Sequence, residues 1–136
     1  MTLREQIARD EGLRLKAYKD AVGKTTVGYG RNLDDTGISI AEADLMLAND
    51  LTRASADVLT HLPWATGLGE VRLAVLVNMS FNLGIGGLME FTRMLRHCQA
   101  GEWTQASNEM LDSKWAGQVG IRSERLAQQM VTGEWT

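Results

Sequence analysis

Residues 11–30 read Glu11-Gly12-Leu13-Arg14-Leu15-Lys16-Ala17-Tyr18-Lys19-Asp20-Ala21-Val22-Gly23-Lys24-Thr25-Thr26-Val27-Gly28-Tyr29-Gly30. Gly12 is a helix stop signal, because glycine enters conformations at positive φ without steric cost. Beyond it, residues 17–21 and 25–29 read as two short strands around Val22-Gly23-Lys24, a hairpin. Upstream, Thr2-Leu3-Arg4-Glu5 is a capping box that starts a helix at Leu3. The apolar line Leu3, Ile7 continues to Glu11, so a carboxylate extends the face expected to be buried. Downstream, Ser39-Ile40-Ala41-Glu42 is a second capping box. It opens a long amphipathic helix through Ala43, Met46, Leu47, Leu51, Ala54 and Val58.

Residues 70–81 are nearly continuous in apolar character, too long for a strand and suited to a core helix buried on all sides. Shorter helices are expected over 88–100, 102–111 and 121–131, separated by Gly101 and by residues 117–120. The expected class is α+β, mainly helical. A small N-terminal helix and β-hairpin lobe and a helical C-terminal lobe are joined by a long helix, with a cleft between them. Residues 1–136 form one domain on this reading. Its N-terminal lobe covers 12–38, its connecting helix 39–59, and its helical lobe 60–136 together with helix 3–11.

Composition narrows the function classes. With 136 residues, 44% apolar and 23% charged, the chain matches an ordinary globular domain and excludes collagen-like and disordered readings. A net charge of −3 argues against a general electrostatic partner such as nucleic acid. The total conceals a split, +3 over residues 1–33 and −5 over 34–60. The single Cys98 forms no internal disulfide, and a free core thiol is its expected role. Charges at Arg4, Glu5, Arg9 and Asp10 interrupt the N-terminus where a signal peptide needs an apolar region. No run reaches the roughly 18 apolar residues of a membrane span. His61, His97 and Cys98 lack metal-ligand spacing, so neither a metal nor a cofactor is expected. Trp64, Trp103, Trp115 and Trp135 are expected to be packing anchors.

Glu11, Asp20 and Thr26 carry the chemical reading. Glu11 ends a helix, where the dipole and partial burial beside Leu3 and Ile7 favour its protonated form. Asp20, flanked by Lys19 and Lys24, favours the carboxylate. Two acids pushed apart in proton affinity are the pattern of an acid and a base. If the hairpin pairs residues whose numbers sum to an even value, Asp20 and Thr26 share a face; an odd sum separates them. A hydroxyl beside a carboxylate holds a water in one orientation, as an inverting glycosidase requires. The bland alternative is a helix-end charge, a turn residue and a strand filler.

These residues resemble a family. Glu11, eight residues, Asp20, five residues, Thr26 and then Gly28-Tyr29-Gly30 are similar to the active-site signature of phage-type lysozymes, glycoside hydrolase family 24. The resemblance continues at Asn78-Met79-Ser80-Phe81-Asn82-Leu83-Gly84, at Lys114-Trp115, at Arg122-Ser123-Glu124-Arg125 and at Thr132-Gly133-Glu134-Trp135. It implies hydrolysis of the β-1,4 bond between N-acetylmuramic acid and N-acetylglucosamine in peptidoglycan, with inversion. Glu11 would protonate the leaving oxygen, and Asp20 with Thr26 would position water. Arg122 matches an arginine close to the catalytic Glu and is expected to orient Glu11. Tyr18, Gly30, Phe81 and Asn82 match positions lining the sugar cleft. Residue types alone make Tyr29, Phe81 and Met79 core candidates and Asn82 a ligand candidate, because a buried amide needs partners.

Two departures stand beside the match. Only residues 31–38 separate Gly30 from the Ser39 cap, where T-even phage enzymes carry a longer stretch. Those enzymes are also basic, so electrostatic attraction to peptidoglycan carboxylates is expected to be weak here. The implied role is a monomeric endolysin, made in the host cytoplasm and released to the periplasmic wall by a separate holin-type membrane protein. The competing readings are a lytic transglycosylase and a catalytically silent lysozyme-fold binding or assembly domain.

Overall fold

In the computed structural model, which describes all 136 residues, both capping boxes are formed. The Thr2 amide donates to Glu5 Oε2 at 2.6 Å and the Glu5 amide to Thr2 Oγ1 at 3.2 Å. They open helix α1, Leu3–Glu11, which ends at Gly12 with φ of 71°. The Ser39 amide donates to Glu42 Oε1 at 2.9 Å and the Glu42 amide to Ser39 Oγ at 3.1 Å, opening helix α2, Ile40–His61. Between them lie strands β1, Arg14–Lys19, β2, Thr25–Gly28, and β3, Arg31–Asn32, paired antiparallel in the order β1-β2-β3. The rest is helical: a 3-10 turn at Pro63–Leu68, then α3, Glu70–Met89, α4, Thr92–Ala100, α5, Trp103–Leu111, α6, Lys114–Val119, and α7, Ile121–Thr132. The class is α+β, mainly helical, as expected. Residues 1–46 and 47–136 are two compact units.

In the first unit the first strand begins at Arg14, earlier than the alternation suggested, and β3 is an addition. Thr26 is the one buried residue of these 46, at 3% exposure. The expected burial along α1 is absent, since Leu3, Ile7 and Glu11 are all exposed. The unit is held by polar order in place of an apolar centre. Asp34 Oδ2 accepts from the Thr25 amide at 2.7 Å, the leading cause that holds its carboxyl below the usual range. Lys24 pairs with Asp35 at 3.1 Å.

In the second unit Val58, Leu62, Val75, Leu76, Met79, Leu88, Met94, Cys98, Met110, Leu126 and Met130 form the core. Each such side chain contributes about 1.5–3 kcal/mol by leaving water. Four of these are methionines, whose flexible thioethers fill irregular gaps between short helices. Helix α3 is not buried on all sides: Val75, Leu76, Met79 and Ser80 are buried, but Phe81 is 42% exposed. It is long and apolar enough to cross a membrane by length and composition, unlike the expectation, yet Gly84 breaks it at φ of 77° and its buried residues lie in the core. Leu88 belongs to the turn after that break, so α4 starts at Thr92. Helix α6 lies partly within the stretch read as a separator. Ser113 caps it, its Oγ accepting from the Ala116 amide at 3.1 Å. Trp115 is buried and packs edge-on against Phe91 with centroids 6.0 Å apart, whereas Trp135, expected as an anchor, is 62% exposed.

Candidate active site

The hairpin register decides the geometry of the first unit. Tyr18 faces Thr26 and Lys19 faces Thr25, an even sum. Asp20 follows in phase, its amide donating to the Lys24 carbonyl at 2.9 Å. With side chains alternating along a strand, Tyr18, Asp20 and Thr26 fall on one face. Asp20 Oδ1 accepts from the Val22 amide at 3.0 Å and the Lys24 amide at 2.8 Å. The carboxylate therefore closes the turn while Oδ2 stays free of protein partners. The neighbouring lysines do not pair with it: Lys19 Nζ donates to Thr25 Oγ1 at 2.6 Å and Lys24 Nζ to Asp35. Thr26 Oγ1 donates to the Lys24 carbonyl at 2.9 Å, so its lone pairs are what it offers to any further partner.

Glu11 closes α1 and lies against Gly30. A Cβ built on Gly30 would stand 2.9 Å from Glu11 Oε2, closer than real side chains approach. Gly30 also has φ of 80°, a conformation that disfavours other residues. The glycine is therefore required twice, by backbone and by carboxylate. Tyr18 is half-buried with the Arg14 guanidinium 4.7 Å from its ring centre, and Tyr29 is 53% exposed, not core.

Three of the sequence-derived candidates lie in the second unit. Phe81 is exposed on α3, correcting its reading as core. Asn82 is exposed too, and its Oδ1 accepts from Trp115 Nε1 at 2.9 Å. The amide expected to be buried is thus exposed, with its oxygen taken by the indole. Arg122 donates from Nε at 3.0 Å and Nη2 at 2.7 Å to Asn78 Oδ1, which fixes the guanidinium plane. Asn78 belongs to the stretch that resembles the family; its service to Arg122 is a contact across 44 positions that no local pattern announces. No three His, Cys, Asp or Glu side chains converge in a metal-binding arrangement.

Sequence reasoning also passed over Arg31. Its Nη1 and Nη2 donate to Glu42 Oε1 and Oε2 at 2.8 and 2.7 Å, and Nη1 also reaches the Gly37 carbonyl at 3.1 Å. The guanidinium first, and the Ser39 amide and hydroxyl after it, hold the Glu42 carboxyl down at about 2.

Comparison with known proteins gives a consistent picture. A family model described as phage lysozyme matches residues 8–129. The chain is 30% identical to the pre-baseplate central spike protein Gp5 of Enterobacteria phage T4 over 98% of its own length, but spans only 28% of that protein. It is 24% identical to probable T4-type lysozyme 1 of Dictyostelium discoideum, covering 97% of this chain and 95% of that one. An endolysin of Acyrthosiphon pisum secondary endosymbiont phage 1 is 31% identical over 81% of this chain and 74% of the relative.

Proposed function

The chain belongs to the phage lysozyme family, and from that premise we propose that it cleaves the β-1,4 bond between N-acetylmuramic acid and N-acetylglucosamine with inversion, as an endolysin. That it is a lysozyme-type glycoside hydrolase, with peptidoglycan as its substrate, follows from membership itself. The finer reading rests on one observation, the even register that sets Asp20 and Thr26 on one face. Glu11 donates its proton to the glycosidic oxygen as the bond to the anomeric carbon breaks. Water, accepted by Asp20 Oδ2 and by the lone pairs of Thr26 Oγ1, presents its oxygen to that carbon from the opposite face and yields its proton to Asp20. Gly30 gives Glu11 room, and Tyr18, on the same face as Asp20 and Thr26, contacts sugar. A separate membrane-permeabilising protein releases the enzyme from the cytoplasm to the wall.

Product analysis tests the reaction type. Digestion of glycan strands gives reducing N-acetylmuramic acid ends, formed first as the α anomer. An anhydro end assigns the protein to the transglycosylases, and a β anomer assigns it to retaining hydrolases. The likeness to a spike protein supports a second reading, a lysozyme-fold domain that serves assembly of a phage particle. Purified protein without hydrolytic activity on isolated peptidoglycan favours that reading.

A further inference from the structure

We infer that the Arg31–Glu42 pair is the positioning element for the general acid, bracing the turn that carries Gly30 against the Glu11 carboxylate. The inference rests on the proposed role of Glu11. The turn from Val27 to Arg31 holds two glycines at positive φ, Gly28 at 70° and Gly30 at 80°, so its own backbone restrains it little. One side of it meets the carboxylate of Glu11. A cavity of about 700 Å³, lined by Gly28, Tyr29, Gly30, Arg31, Glu42 and Leu45 among others, also borders the turn, so side-chain packing around it is incomplete. The two-pronged bond from Arg31 to Glu42 joins two of the residues that line that hollow. Glu42 is itself fixed, because the same carboxylate accepts from the Ser39 amide in the cap of α2. The chain of restraint runs from the first turn of α2 through Glu42 and Arg31 to Gly30, and so to Glu11. Two parallel bonds from a planar guanidinium set orientation as well as distance.

Turnover of soluble, uncross-linked glycan strands by the wild type, Glu42→Gln and Arg31→Lys tests this. Glutamine keeps the cap but offers one acceptor where two are needed, and lysine keeps the charge but loses the fork. Both variants are expected to lose about 10-fold in kcat, with KM within about twofold, as for a misplaced acid. Their Tm should stay within about 3 °C of wild type, since the pair is solvent-exposed. An unchanged kcat in either variant, a change confined to KM, or a loss of activity matched by loss of folded protein overturns the inference. Glu11→Gln in the same assay separates the two levels. If it keeps wild-type turnover, the acid assignment itself falls. If it is inactive while Glu42→Gln is fully active, only the positioning role falls.

Discussion

At the residue scale, burial decides the behaviour of Cys98. Its thiol is enclosed in the core of the second unit, where its Sγ lies 3.9 Å from Met130 Sδ, and burial pushes it up to about 12. Relative to an ordinary thiol this lowers the thiolate population about a thousandfold at neutral pH. A thiol reagent should therefore label the native protein far more slowly than the unfolded chain, because Cys98 is both enclosed and held protonated. Labelling at the rate of a free thiol in native buffer contradicts the packing described. Arg72 makes a second residue-scale case. Its guanidinium lies 4.1 Å above the Trp103 ring and donates to the carbonyls of Met130 and Val131, satisfying the end of α7. A Cβ on Gly133 would meet that guanidinium at 3.0 Å, whereas one on Gly101, also at positive φ, would find its nearest atom at 3.8 Å. Alanine at either position pays about 1–2 kcal/mol for the left-handed backbone. Gly133→Ala should lose about 1 kcal/mol more in urea denaturation, because it also dislodges a half-buried, hydrogen-bonded cation. Equal losses at the two positions contradict the clamp.

At the scale of the element, what the sequence discloses is what is local. The caps at Thr2 and Ser39 are each satisfied within three residues, and the glycine at position 12 needs only its own backbone, so all three were legible. The spacing of Glu11, Asp20 and Thr26 carried the family resemblance, and the register left open by the pattern proved even. The failures are of two kinds. Helix α6 runs through Gly117, which reads locally as a separator, although the Ser113 cap signals its start. The exposure of Phe81 and the service of Asn78 to Arg122 depend on where distant elements lie, and no periodicity within α3 encodes them. The Arg31–Glu42 bond likewise joins residues 11 positions apart through a loop of no regular structure. That bond has a pH signature. The folded Glu42 carboxyl is held at about 2 against an ordinary 4.5, so its contribution to stability, small because solvent screens side chains 37% and 42% exposed, is complete above about 4.5 and fades as pH falls toward about 2. The denaturant midpoint of the wild type should exceed that of Glu42→Gln near neutrality, and the difference should shrink across that window. A difference independent of pH contradicts the assignment.

At the scale of the molecule, the two units divide their means of stability. The second holds a sulfur-rich apolar core, while the first arranges its chemistry on a polar scaffold in which Thr26 alone is buried. Short strands, an Asp-closed turn and glycines at positive φ leave the reacting side chains little to pack against, and hydrogen bonds fix Asp20 and Thr26. A site built this way tolerates loss of one carboxylate as a fold while losing it as a catalyst. Glu11 is exposed and makes no ion pair, which marks it as a group the fold does not require. The most direct test is clearing of purified peptidoglycan by folded wild type, Glu11→Gln and Asp20→Asn. The wild type should clear the suspension and both variants should lose at least about a hundredfold in rate, the scale of a missing acid or base. Equal clearing by all three proteins contradicts the assignment of Glu11 and Asp20.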